Sequence, residues 1–144
     1  MNVEFILKGK GRAVVTVAPD ASVEQAVALL SRRGIGALVV SDDDGTTVAG
    51  ILSERDVVRA LGEHGVGILT QPVSALMTRH VFTCAPHDSI ADLMAEMTDK
   101  RIRHLPVVEN GRLAGIVSIG DVVKNRLDEV ETEANSLRQF ITSA

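Results

Sequence analysis

Aromatic side chains are almost missing from this chain of 144 residues: it has no Trp, no Tyr, and only Phe5, Phe82 and Phe140. Proteins that grip single-stranded nucleic acid stack bases on such rings, so that platform is unavailable. Positive charge is also short. Fifteen Lys and Arg stand against nineteen Asp and Glu, a net charge of −4 that repels a phosphate backbone, and no nucleic-acid partner is expected. Cys84 is the one cysteine, which excludes an internal disulfide and a cysteine-based metal framework and points to a reducing cytoplasm. No run of 18 apolar residues occurs, and Phe5-Ile6-Leu7 is too short and lacks the small-residue cleavage pattern of an export signal. Neither export nor a membrane partner is expected. What remains is an ordinary globular balance, 45% hydrophobic and 24% charged, with an aliphatic core.

What the chain does have is repetition. Thr16-Val17-Ala18-Pro19-Asp20-Ala21-Ser22-Val23 returns as Thr83-Cys84-Ala85-Pro86-His87-Asp88-Ser89-Ile90, 67 positions on. Ala49-Gly50-Ile51-Leu52-Ser53-Glu54-Arg55-Asp56 returns as Ala114-Gly115-Ile116-Val117-Ser118-Ile119-Gly120-Asp121, 65 positions on. Two copies are too few for a solenoid, so the expected arrangement is a pair packed about a pseudo-two-fold axis.

Each copy reads as strand, helix, strand, strand, helix. A short apolar run, Ala13–Val17 or Val81–Cys84, ends at a proline and reads as a strand. Ser22 and Ser89 are N-cap candidates, with Gln25 and Asp92 three residues on, and apolar residues follow at helical spacing: Val23, Ala26, Leu30 and Ile90, Leu93, Met97. Ala37–Val40 and His104–Val108 read as buried middle strands. After turns at Asp43-Asp44-Gly45 and Asn110-Gly111, Val48–Leu52 and Leu113–Val117 form third strands that run into helices beginning at Ser53 and Ser118. The fold class is therefore α/β, a small three-stranded sheet with helices in each copy. The boundaries are 8–70 for the first repeat, 71–127 for the second and 128–144 for a C-terminal helix extension.

Two constellations could carry chemistry. At the strand-to-helix junctions, Gly50…Ser53…Asp56 and Gly115…Ser118…Asp121 share one spacing. Structurally, the serine caps the helix, the aspartate closes a capping box and the glycine lets backbones pass closely. Functionally, a helix N-terminus offers N–H groups to an anion, a serine hydroxyl joins them, and an aspartate can accept from ribose hydroxyls. The second constellation is Arg101-Ile102-Arg103-His104, at the mouth of a middle strand. As solvated charges these protect a sheet edge; as ligands, guanidinium groups suit phosphate oxygens. Nothing reads as catalytic: His64, His80, His87 and His104 lack metal-ligand spacing, and Cys84 stands where the first copy has Val17, which favours a buried, inert thiol.

With these motifs in view, the chain resembles a tandem pair of cystathionine β-synthase (CBS) domains, a Bateman module, from about Lys8 to Leu127. The resemblance implies two α/β units with two clefts between them that bind adenosine-containing ligands such as AMP, ADP, ATP, NAD(H) or S-adenosylmethionine. By position it assigns Ser118 to phosphate, Asp121 to the ribose, Arg103 and His104 to the phosphate side and Thr83 to the base. The first-copy set is Ser53, Asp56 and Thr16, where Gly36 and Ala37 replace Arg103 and His104, and Arg55 stands in place of Gly120. The Ser118/Asp121 cleft is thus expected to be the better monophosphate binder.

From Val123, the residues Leu127, Val130, Ala134, Leu137 and Ile141 alternate steps of four and three, a heptad seam. It packs either on the chain's own Phe5-Ile6-Leu7 or on a second copy as a homodimer. The functional expectation is a non-enzymatic regulator with no obligatory cofactor, an adenine-nucleotide ligand and a separate regulated protein. The alternative is a structural or oligomerisation module with vestigial clefts.

Overall fold

The computed structural model describes residues 1–143. Helix α1 (Val3–Lys10) precedes the first repeat, which comprises β1 (Thr16–Val17), α2 (Val23–Arg33), β2 (Ala37–Val40), β3 (Gly50–Ser53) and α3 (Glu54–His64). Two 3₁₀ turns, Val66–Thr70 and Val73–Ala75, lead to the second repeat: α4 (Ile90–Lys100), β4 (His104–Glu109), β5 (Arg112–Ser118) and α5 (Ile119–Thr142).

Local sequence explains most of this order. Ser22 accepts from the Gln25 N–H while the Gln25 side chain accepts from the Ser22 N–H, a complete capping box; Ser89 caps α4 through the Asp92 N–H. Asn110 and Gly111 both take positive φ, 54° and 76°, as a tight hairpin between β4 and β5 requires. In the first repeat β1 pairs parallel with β2, and β2 antiparallel with β3. The second repeat departs from the expected three strands: Val81–Cys84 forms no strand, and only a single parallel bridge, Cys84 to Val107, remains beside the β4–β5 hairpin. Phe82 there is exposed, with the Lys100 ammonium 4.1 Å from its ring, so this segment lacks the alternating burial that holds a strand on a sheet.

The segments that precede the repeats exchange partners. Val3, Ile6 and Leu7 of α1 are buried in the core of the second repeat, among Ile90, Leu93, Met97, Leu105, Val117 and Val122. The residues before the second repeat pack on the first, with Val73 and Met77 in the core of Val23, Leu38, Leu52 and Val57. Backbone bonds fix both docks: the Val3 N–H donates to the Asp88 carbonyl at 3.0 Å, and the Val73 N–H to the Ala21 carbonyl at 2.8 Å. Burial of each such aliphatic side chain contributes roughly 1.5–3 kcal/mol, so the three on α1 tie the start of the chain firmly to its second half.

This exchange explains the paired glycines. A Cβ on Gly50 would lie 2.7 Å from Met77 Sδ and 2.9 Å from the Thr78 carbonyl oxygen; one on Gly115 would lie 2.7 Å from Leu7 Cδ2. Both glycines stand where the exchanged segment crosses the third strand. Ile6 and Leu7 do pack with Val122 at the root of α5, but the heptad seam does not lie on them: Leu127, Val130, Leu137 and Ile141 are exposed.

Candidate functional site

The two junctions have matching backbone chemistry. Ser53 and Ser118 accept from the N–H groups of Asp56 and Asp121, and each aspartate carboxylate accepts in return from the serine N–H at 2.9 Å. The first N–H of each helix is tied to the mouth of the middle strand, Glu54 to the Gly36 carbonyl at 2.9 Å and Ile119 to the Arg103 carbonyl at 2.8 Å. Gly36-Ala37 and Arg103-His104 therefore occupy equivalent places. The small residues of the first repeat leave room for the large ones of the second, since a Cβ on Gly36 would already sit 3.4 Å from both Glu54 Oε1 and the His104 ring.

One cleft, of about 230 Å³, lies between the α3 junction and the β4 mouth. Ser53 and Asp56 form one wall, with Arg55 and Arg59 one helical turn apart; Arg101, Arg103 and His104 come from the other repeat, and Val81 and Phe82 close one side. Arg55, Arg59, Arg101 and Arg103 are all exposed, and among the described residues none of the four is in an ion pair. A chain of net negative charge has thus collected four guanidinium groups around a helix N-terminus against the two carboxylates of Glu54 and Asp56, a surplus of positive charge suited to phosphate oxygens. Arg101 is held there at positive φ, 54°, as the C-cap of α4, where the first repeat uses Gly34 at 63°. A left-handed conformation is costly for a residue with a Cβ.

The second cleft, of about 420 Å³, has Ser118, His104 and Lys10 with an apolar wall of Val14, Val15, Ile35, Ala37 and Ile116. It departs from the sequence expectation in two ways. Arg103 does not join Ser118 and Asp121; its side chain lines the Ser53/Asp56 cleft. Asp121 does not border the second cleft, because Lys10 Nζ holds its Oδ2 at 2.6 Å while also donating to the Ile116 carbonyl at 3.1 Å. Burial pushes the Asp121 carboxyl up, but the Lys10 bond and the Ser118 N–H outweigh it and hold the group below the usual aspartate range. The guanidinium groups sit on the Ser53/Asp56 side.

Thr16 and Thr83 line neither cleft. Thr16 is in β1 beside Gly45, and Thr83 follows Phe82 on the exposed segment. Sequence reasoning missed Lys10 and Arg59. Arg59 carried a signal, four residues beyond Arg55 on one helix face; Lys10, 111 residues from Asp121, carried none. His104 borders both clefts, and burial lowers its pKa below the ordinary histidine value, so the ring is neutral at pH 7. Cys84 is buried and its thiol is pushed up to about 12, mainly by burial, which makes it inert. Among the described residues no cluster of His, Cys, Asp and Glu is placed to hold a metal ion, and no helix is long and apolar enough to cross a membrane.

Comparison with known proteins places this geometry. A family model described as the CBS domain matches twice, over residues 11–63 and 73–128. The CBS-domain containing protein ATU1752 from Agrobacterium tumefaciens superposes with a TM-score of 0.84 at 51% identity, covering 88% of this chain and 99% of that one. The mitochondrial CBS domain-containing protein CBSX3 of Arabidopsis thaliana is 33% identical over 94% of this chain and 69% of its own length. The CBS domain pair of protein MJ0100, crystallised in complex with 5′-methylthioadenosine and S-adenosyl-L-methionine, superposes with a TM-score of 0.75 at 25% identity, covering 86% of this chain and 98% of that one.

Proposed function

The chain belongs to the CBS-domain family, and from that premise we propose a regulatory module that binds a phosphate-bearing adenosine ligand in the Ser53/Asp56 cleft. The observation that carries the reading is the set of four arginines, 55, 59, 101 and 103, in no ion pair among the described residues, around the capped N-terminus of α3. In this reading the Ser53 hydroxyl, at the positive end of the α3 dipole, meets a phosphate, the arginines neutralise it, and the Asp56 carboxylate accepts from the ribose hydroxyls. The MJ0100 domain pair supports an adenosine ligand in general. The surplus of positive charge here favours AMP, ADP, ATP or NAD(H) over the cationic S-adenosylmethionine. The Ser118 cleft is the weaker site, because a ribose can reach Asp121 only if Lys10 gives way.

The cleft draws residues from both repeats, so a ligand in it joins them and shifts the population of their relative orientations. The effect on a regulated protein is bounded by the ligand's differential affinity for those orientations. In this reading the module acts by binding, as a cytoplasmic homodimer that signals to a separate chain. The exposed seam of α5 favours the second reading, an oligomerisation module with vestigial clefts.

Calorimetry decides between them. The chain, unfolded and refolded to remove carried-over ligand, is titrated with AMP, ADP, ATP, NADH and S-adenosylmethionine. Saturable binding of a phosphate-bearing ligand, weakened in Asp56→Asn, supports the regulatory reading. Absence of heat and of any melting shift with all five leaves the oligomerisation module.

A further inference from the structure

We propose that the C-terminal half of α5 pairs in parallel with the same helix of a second copy of this chain. This deepens the homodimer element of the reading above and is independent of what the clefts hold. Apart from Glu129, which the Met1 ammonium holds at 2.7 Å, the seam of α5 from Leu127 onward is open: Leu127 is 64%, Val130 44%, Leu137 60% and Ile141 66% exposed. The core-facing side of the same helix, at Val122, is already covered by α1, so the open seam is a separate face. Leu127, Ala134 and Ile141 take the first apolar position of each heptad, and Val130 and Leu137 the second.

The charges beside the seam select the partner and its direction. In a parallel pair each residue just before the first apolar position faces the residue five places on in the other helix. That sets Arg126 against Glu131 of the second copy and Glu133 against Arg138, both attractive and both doubled by the two-fold symmetry. Among the described residues Glu131, Glu133 and Arg138 are in no ion pair within the chain, whereas Arg126 is shared with Glu129 of its own helix, so the Glu133–Arg138 pair carries the selection. An antiparallel pair sets like positions together and brings Glu133 towards its own counterpart near the middle of the seam. About two heptads is short for an isolated coiled coil. Here the helix is already nucleated in the folded body, which removes the costly first step.

Sedimentation equilibrium of the full chain without nucleotide tests this. The native chain is expected to be a dimer through the micromolar range, and Leu137→Asp a monomer with unchanged circular dichroism. Glu133→Arg or Arg138→Glu alone should weaken the dimer about tenfold, and the two together should restore it. Ile141→Cys should cross-link on oxidation, since buried Cys84 does not compete. A monomeric native chain, a dimer indifferent to Leu137→Asp, charge reversals that do not rescue each other, or an Ile141→Cys chain that stays uncross-linked would each overturn the proposal. If the sedimentation results hold while calorimetry finds no ligand, the parallel pair stands and the nucleotide reading falls.

Discussion

Asp56 and Asp121 close the same capping box on the same kind of helix, yet one faces a cleft lined by four arginines and the other is held by a lysine from α1. The repeats keep what the backbone needs: the serine, the aspartate, the glycine and the bond from the helix to the strand mouth. They differ in what crosses between them. Two equivalent strand mouths confront each other, and both cannot carry bulky side chains; Gly36-Ala37 yields space that Arg103-His104 fills. A duplicated fold therefore gives unequal sites without altering either frame.

The comparison is tested most severely at the glycines. Gly50→Ala forces a Cβ onto the fixed Thr78 carbonyl as well as onto Met77, whereas Gly115→Ala meets only the end of the Leu7 side chain. Thermal and denaturant unfolding should show a loss of about 3 kcal/mol at Gly50 and about 1 kcal/mol at Gly115. Equal losses would mean that the exchanged segments do not cross the two strands as described.

Next in size is Arg103→Ala. It should weaken a phosphate-bearing nucleotide by roughly tenfold to a hundredfold, the loss of a charge-assisted bond, while leaving the melting temperature of the free protein unchanged. If the Ser118 cleft is instead the main phosphate site, calorimetry will find Arg103→Ala nearly silent and Lys10→Gln costly.

The smallest effect expected is on acid stability. Because the folded pKa of Asp121 lies below its ordinary value, the stability it lends is complete above that ordinary value and is lost as pH falls through the folded one. Lys10→Gln removes the cation that opposes burial while the Ser118 N–H stays, so the Asp121 carboxyl should titrate at higher pH than in the native chain in a carbon-detected NMR titration. The acid limb of unfolding should move the same way, by under about 1 kcal/mol, since the pair is partly exposed and screened by solvent. An unmoved Asp121 would show that Lys10 does not hold it in solution.

Elements set by neighbours in the chain were legible. The serine caps, the 3.6-residue apolar stripes of α2 and α4 and the Asn110-Gly111 turn could be read directly, because each needs only residues a few positions apart. The segment Val81–Cys84 misled because its composition is that of a strand, while strand formation also needs a partner edge and a face to bury. The site was half legible. The sequence placed Ser53, Asp56, Ser118 and Asp121 at helix starts, but it grouped Arg103 and His104 with the junction of their own repeat.

By itself the sequence determined two α/β repeats, their capped junctions, an aliphatic core and a heptad seam on the last helix, all consequences of local spacing and hydrophobic period. Only the tertiary structure decided that α1 belongs to the second repeat's core, that Lys10 covers Asp121, and that Arg101 and Arg103 line the same cleft as Ser53 and Asp56. These contacts join residues far apart in the chain, and they depend on which apolar face found which partner when the two repeats closed on each other.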